Sequence, residues 1–147
     1  YNKLVFLNSS TLPKDELISI NQVVDEKIEI LKKLYLKVEF VNNMKNLEVH
    51  SNRNALERII DNLLSNACKY NKKNGFIYIN TEDKKLIIKD TGIGIKDTNK
   101  VFQRYYKEND NGLGIGMSIV KNLCDALKIK IEITSRLGKG TTVTLEF

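Results

Sequence analysis

Two asparagines and a lysine in the middle of the chain have the types and spacing of a metal and phosphate site. Asn62, Asn66 and Lys69 are four and then three positions apart, so at about 100° per residue they lie on one stripe of a helix. Amide oxygens are hard ligands that suit Mg²⁺, and an ammonium group suits phosphate. A solvated helix face with incidental asparagines is the alternative, weakened because asparagine is a poor helix former.

A carboxylate at the end of an apolar strand is followed by alternating glycines. Asp90 precedes Gly92 and Gly94, and Ile95 comes directly after them. A carboxylate accepts hydrogen bonds and could read an exocyclic amine such as that of adenine, and glycine permits close approach of a ligand to the backbone. Taken alone, the motif could also be a simple turn.

A second glycine-rich motif opens a predicted helix at Gly112, Leu113, Gly114 and Gly116. Exposed N–H groups at a helix start bind anions. The motif is neither a dinucleotide-binding G-x-G-x-x-G nor a P-loop. Taken alone, it could also be a glycine-rich hinge.

The elements that must position these residues alternate between strands and helices. Hydrophobic periodicity predicts helices from Asn21 to about Tyr35, from about Leu56 to Tyr70, and from about Leu113 to Leu127. Asn52 or Asn54 can cap the second helix, and Gly75 suits a left-handed C-cap. The segment 90–111 is a predicted loop, and the predicted strands are 17–20, 38–41, 76–80, 86–89, 129–134 and 141–147. This interleaving indicates an α/β two-layer sandwich, with one mixed sheet and about three helices on one face.

Composition excludes several classes of protein. The 147 residues are 41% hydrophobic and 29% charged, as in an ordinary globular domain, and no apolar run approaches the length of a membrane span. The net charge of +6 comes from scattered lysines, so a solvated surface is favoured over a nucleic-acid site. Cys68 and Cys124 lack metal-ligand spacing and are expected to be buried thiols. His50, the one histidine, has no acidic neighbour on its C-terminal side and is expected to have a plain surface or packing role.

In order and spacing, the motifs resemble the histidine kinase branch of the ATPase superfamily that also includes gyrase and the mismatch-repair and chaperone ATPases. The segment 62–70 resembles the family's N box, 90–94 its first glycine box and 101–106 its phenylalanine box. The segment 112–116 resembles the second glycine box, and 138–141 the turn before the final strand. The resemblance covers 13–147 and implies a Bergerat-type ATP-binding fold with an ATP lid over 95–111. It also implies that 1–12 is a stub from a missing dimerisation helix.

The resemblance implies roles for the residues of the second helix. Asn66 would coordinate Mg²⁺, with Asn62 beside it at the metal or the phosphates. Lys69 would contact phosphate, and Tyr70 would border the adenine.

The remaining implied contacts come from the loops. Asp90 would accept a hydrogen bond from the adenine amino group, Gly94 would let the base approach, and Thr141 would support the Asp90 end of the pocket. Lys107 stands where the family often has arginine, and since lysine is a point charge it would not form a bidentate clamp. The cofactor-binding set is completed by Gly92, Ile95, Gly112, Leu113, Gly114 and Gly116.

The function implied by the resemblance is that of the catalytic domain of a sensor histidine kinase. The domain would use ATP and Mg²⁺ for phosphoryl transfer to a histidine on a separate dimerisation domain, with neither catalytic base nor nucleophile on this chain. The expected partners are that domain and a downstream response regulator, without nucleic acid. The fragment is expected to be a monomer and a cytoplasmic domain of a membrane-bound kinase.

Two alternatives remain within the same superfamily. The first is an ATPase, in which a catalytic Glu stands four residues before the Mg²⁺ asparagine; here that position is Asn62, which cannot act as a base. The second is a binding module without catalysis, supported only by the net charge.

Overall fold

Strands and helices alternate along the chain in a computed structural model that describes residues 12–96, 98 and 116–147. The elements in chain order are β1 (Glu16–Ser19), α1 (Ile20–Leu34), β2 (Val38–Asn43), β3 (Glu48–Ser51), α2 (Arg53–Lys69), β4 (Gly75–Glu82), β5 (Lys85–Asp90), α3 (Gly116–Leu127), β6 (Lys130–Arg136) and β7 (Gly140–Glu146). The predicted elements over these residues are present, with bounds that move by a few positions.

The main sheet has five strands in the order β2-β4-β5-β7-β6. β2 and β4 run parallel, and every other neighbouring pair is antiparallel, so the sheet is mixed. The predicted α/β sandwich is therefore confirmed. The prediction of one sheet was incomplete, because β1 and β3 pair with each other in a separate two-stranded antiparallel sheet. The strand at β1 was predicted, whereas β3 was missed because its four residues are too few for a clear alternation in the sequence.

Helix α2 is the centre of the helical layer, since it contacts α1, α3 and strand β5. Its apolar stripe is buried, and each large aliphatic side chain there stabilises the fold by about 1.5–3 kcal/mol. The residues of this stripe are Ala55, Leu56, Ile59, Ile60, Leu63, Leu64, Ala67 and Cys68. This packing fixes which side of α2 remains available for a ligand.

An asparagine side chain caps the N-terminus of α2, and its C-terminus differs from the prediction. The Asn52 Oδ1 accepts a hydrogen bond from the Ala55 N–H at 3.1 Å, so Asn52 is the N-cap. The prediction of a left-handed C-cap at Gly75 was wrong, because α2 ends at Lys69 with Tyr70 as its C-cap. The positive φ is at Asn74 (62°), a residue type that tolerates this conformation.

Both cysteines are free and buried, as predicted. Burial raises the pKa of each thiol to about 12, with the nearby Asp90 charge adding to the effect at Cys68. His50 is exposed on β3, in agreement with a surface role. Within 12–96, 98 and 116–147, no helix combines the length and the apolar character needed to cross a bilayer.

Candidate functional site

One row of polar side chains lies at the end of the sheet face that the helices cover. Asp90 on β5 lies opposite Thr141 on β7, which lies opposite Ser135 on β6. Because side chains two positions apart share a face of a strand, the neighbouring rows on this face can be read from the register. They are apolar and consist of Ile88, Val143 and Ile133, followed by Leu86, Leu145 and Ile131. The polar row therefore stands where the core ends.

The Asp90 carboxylate is held through one of its two oxygens. Its Oδ1 accepts hydrogen bonds from the Gly92 N–H at 2.8 Å and from the Thr141 N–H at 3.2 Å. Burial raises the pKa of Asp90 to about 6, and the two backbone hydrogen bonds oppose that rise. Since both bonds end on Oδ1, Oδ2 remains as an acceptor for a ligand.

The start of the predicted 90–111 loop is fixed on two sides. The Ile93 N–H donates to the Tyr70 carbonyl at 3.0 Å, and the Ile93 carbonyl accepts from the Gly138 N–H at 2.8 Å. The Ile95 N–H donates to the Ser135 Oγ at 2.7 Å. The end of α2 at Tyr70, the end of β6 at Ser135 and the turn after β6 thus hold the loop that carries the glycines after Asp90.

Sequence reasoning missed Asn71 and Ser135, which organise this region. The Asn71 Oδ1 accepts from the Thr91 hydroxyl at 3.1 Å, and its Nδ2 donates to the Phe76 carbonyl at 3.0 Å. Asn71 therefore joins the end of α2 to β4 and to the loop after Asp90. For Ser135 a signal was available, because it continues the alternation of Ile131 and Ile133 with a polar side chain.

Some of the glycines predicted to contact a ligand are among the described residues, and others are not. Gly92 and Gly94 are buried, and a Cβ at Gly94 would meet the Arg136 carbonyl. The close approach at Gly94 is therefore made by the turn after β6. Gly116 is the first residue of α3. Outside the described residues lie Lys107, Gly112, Leu113, Gly114 and the lid except for residues 95, 96 and 98.

The predicted stripe on α2 is present on the side that the core leaves free. Asn62 and Asn66 are half-buried and Lys69 is exposed. The Asn66 Oδ1 is fully buried and has no hydrogen-bond partner among the described residues. Such an orphaned acceptor costs about 1–3 kcal/mol, and an amide oxygen is a ligand that Mg²⁺ accepts.

The described side chains do not offer a metal cage. In 12–96, 98 and 116–147, no group of three or more His, Cys, Asp or Glu side chains could hold a metal ion. Mg²⁺ commonly takes only one or two protein ligands, with waters and substrate phosphates supplying the others. The single orphaned amide oxygen therefore fits Mg²⁺ bound together with a nucleotide.

Gly140 offers a direct test of how closely β7 approaches Asp90. We expect Gly140→Ala to lower the free energy of unfolding by about 1–3 kcal/mol or more, because Gly140 has φ +121° and an added Cβ would clash with the Asp90 carbonyl. Gly138→Ala is the control, since Gly138 has φ +78° but open space around it. Chemical denaturation of both variants measures the difference, and an equal cost would exclude a steric contribution.

Comparison of this chain with known proteins shows which family it resembles. The family model described as histidine kinase-, DNA gyrase B-, and HSP90-like ATPase matches residues 51–147. The sensor histidine kinase WalK of Bacillus subtilis is 32% identical, over 88% of this chain and 23% of the relative. The signal transduction histidine-protein kinase ArlS of Staphylococcus aureus is 30% identical, over 90% of this chain and 32% of the relative. The chain thus spans about a quarter to a third of the length of these relatives.

Solved structures show the same fold. The mycobacterial sensor histidine kinase MprB matches with a TM-score of 0.79 at 22% identity, over 89% of this chain and 95% of the other. The catalytic domain of the histidine kinase ThkA, in a nucleotide-free form, matches with a TM-score of 0.75 at 22% identity, over 90% and 93% of the two chains.

Proposed function

Since the chain belongs to the histidine kinase-, DNA gyrase B- and HSP90-like ATPase family and is homologous to the catalytic domains of sensor histidine kinases, we propose that it positions Mg-ATP for phosphoryl transfer. The acceptor is a histidine on a separate dimerisation domain. Phosphoryl transfer asks a protein mainly for positioning and charge neutralisation, and the residues that would supply both lie on α2, β5 and β7.

The Asp90 carboxylate carries this proposal. Its Oδ1 is occupied by two backbone N–H groups, so its Oδ2 is the atom that accepts a hydrogen bond from the adenine amino group. Tyr70 borders the base at the end of α2, and Thr141 supports the carboxylate from β7. Gly92, Gly94 and Ile95 form the wall of the pocket that faces the base.

The phosphate end of the site lies along α2. The orphaned Oδ1 of Asn66 would hold Mg²⁺, with Asn62 beside it, and the exposed Lys69 would contact the phosphates. When bound, Mg²⁺ neutralises the charge of the phosphate oxygens. Gly112, Leu113, Gly114 and Gly116 would wrap the phosphates at the start of α3, and Lys107 would add a point charge from the lid.

The residue at position 62 favours transfer over hydrolysis. A family ATPase would need a carboxylate there as a base, and an asparagine cannot take up a proton. A dimerisation domain would therefore be a partner, and a response regulator would act downstream of it. The parent protein would be a membrane-bound sensor kinase with this domain in the cytoplasm. The domain alone would be a monomer without affinity for nucleic acid.

We expect this chain alone not to phosphorylate itself. Its one histidine, His50, is exposed on β3 just before α2. Asn66 lies thirteen residues along α2 from Arg53, roughly 20 Å at about 1.5 Å rise per residue. In-line transfer needs reacting atoms within about 3–3.5 Å, so His50 cannot reach a phosphate held beside Asn66.

Incubation with γ-labelled ATP tests this, with and without an added dimerisation domain that bears the acceptor histidine. Label should appear only on the added domain, and equally with His50→Ala. Acid-labile label on this chain that disappears in His50→Ala would place the acceptor here. No label on the added domain would count against the kinase proposal.

A further inference from the structure

The Ser135 hydroxyl makes three polar contacts at the end of the sheet. Its Oγ lies 2.7 Å from the Ile95 N, 2.9 Å from the Gly140 carbonyl oxygen and 2.8 Å from the Thr141 Oγ1. A serine hydroxyl has one proton and two acceptor lone pairs. These three contacts therefore use its full hydrogen-bonding capacity.

The contacts determine where the hydroxyl protons lie. The Ile95 N–H can only donate, and the Gly140 carbonyl can only accept, so the Ser135 proton points to Gly140. The contact with Thr141 then needs the Thr141 hydroxyl as its donor. The Thr141 Oγ1 is left with only lone pairs for any other partner.

We propose that Ser135 is a specificity-determining residue of the nucleotide site, acting through Thr141. By accepting a hydrogen bond from the Thr141 hydroxyl, Ser135 makes Thr141 a fixed acceptor beside Asp90, its cross-strand neighbour. The inference rests on the proposed function and adds to it the reason why the site would select one base.

Two neighbouring acceptors match an amino group and reject a carbonyl. Adenine carries an exocyclic amine with two hydrogens, whereas hypoxanthine carries an acceptor oxygen at the same position. The Asp90 Oδ2 and the Thr141 Oγ1 would both present lone pairs there. Without Ser135 the Thr141 hydroxyl can rotate and donate, so an oxygen would be tolerated.

The experiment measures dissociation constants of ATP and inosine triphosphate, each with Mg²⁺, by calorimetry. The native domain should prefer ATP. Ser135→Ala should lower the ratio of the two affinities about 3- to 10-fold, the value of one hydrogen bond. Ser135→Cys keeps the shape of the side chain with a somewhat larger atom and hydrogen-bonds weakly. Its ratio should lie between those of the native domain and the alanine variant, and it serves if the alanine variant does not fold.

Matched variants separate selectivity from general damage. Thr141→Ser retains a hydroxyl to donate to Ser135 and should keep the ratio, whereas Thr141→Val should lower it, with no further fall when combined with Ser135→Ala. Thr134→Ala, an exposed neighbour on the same strand, should leave the ratio unchanged.

Equal weakening of ATP and inosine triphosphate in folded Ser135 variants would overturn the inference and leave the proposed function intact. Absence of ATP binding by the native domain would overturn both.

Discussion

Replacing Asp90 with asparagine is expected to weaken Mg-ATP binding about 5- to 150-fold. The substitution keeps an oxygen for the Gly92 and Thr141 N–H groups but places an amide NH₂ where the ligand needs an acceptor. Two donors then face each other, and a mismatched buried polar pair costs about 1–3 kcal/mol.

The same substitution should make the free domain more stable near pH 7.5. Burial raises the pKa of Asp90 to about 6 from the ordinary 3.8, so the ionised side chain opposes folding by about 2–3 kcal/mol. A raised folded pKa means that the folded state binds more protons than the unfolded state between about pH 4 and pH 6. The stability that this carboxyl contributes is present at pH 4 and lost as the pH rises through 6, and Asp90→Asn removes that loss.

Calorimetric titration and denaturation at pH 4.5 and 7.5 measure the two effects. The control is Asp83→Asn, an exposed position in the turn between β4 and β5, which should leave affinity unchanged. Affinity retained in Asp90→Asn would remove Asp90 from the adenine site. A loss of stability at pH 7.5 would contradict the burial cost assigned to the carboxylate.

Replacing Asn66 with alanine is expected to remove the Mg²⁺ dependence of ATP binding and to abolish phosphotransfer in the presence of the dimerisation domain. Changes in the outer shell of metal sites already cost 10- to 100-fold, in rough terms, in metal affinity or activity, so loss of a direct ligand should cost no less. The free domain should unfold at a higher temperature, because the orphaned Oδ1 is removed and alanine is the better helix former.

Asn54→Ala is the matched control, since Asn54 is exposed in the first turn of the same helix. It gains helix propensity without touching the site. The measurement is ATP affinity with and without Mg²⁺, together with the melting temperature, for both variants. Equal responses in Asn54→Ala and Asn66→Ala would show that Asn66 has no special relation to the metal.

The sequence was sufficient for the parts of the site that depend on local periodicity. The spacing of Asn62, Asn66 and Lys69 predicts one helix stripe, and the buried side chains of α2 leave that stripe beside the core. The apolar run before Asp90 likewise predicts that Asp90 ends a strand. Both arguments need only the geometry of a single element.

The parts that depend on contacts between distant segments could not be read in the same way. The Asp90 carboxylate is held by Thr141, and the Ile95 N–H by Ser135, 40 positions further on. The position of the left-handed residue also depended on a distant contact, because the Asn74 N–H donates to the carbonyl of Lys37, which directly precedes β2. Propensity favoured Gly75, and tertiary structure placed the turn one residue earlier.

The cross-strand row of Asp90, Thr141 and Ser135 has a consequence for folding during synthesis on the ribosome. Thr141 follows Asp90 by 51 positions, which at roughly 5–20 residues per second takes about 3–10 s to translate. During that interval a nascent chain already contains α2 and the Asp90 carboxylate but lacks the β7 N–H that holds it. If the proposed function holds, the nascent chain would lack this support of the nucleotide site, and stabilisation of the fold by the nucleotide would begin only after β7 has been made.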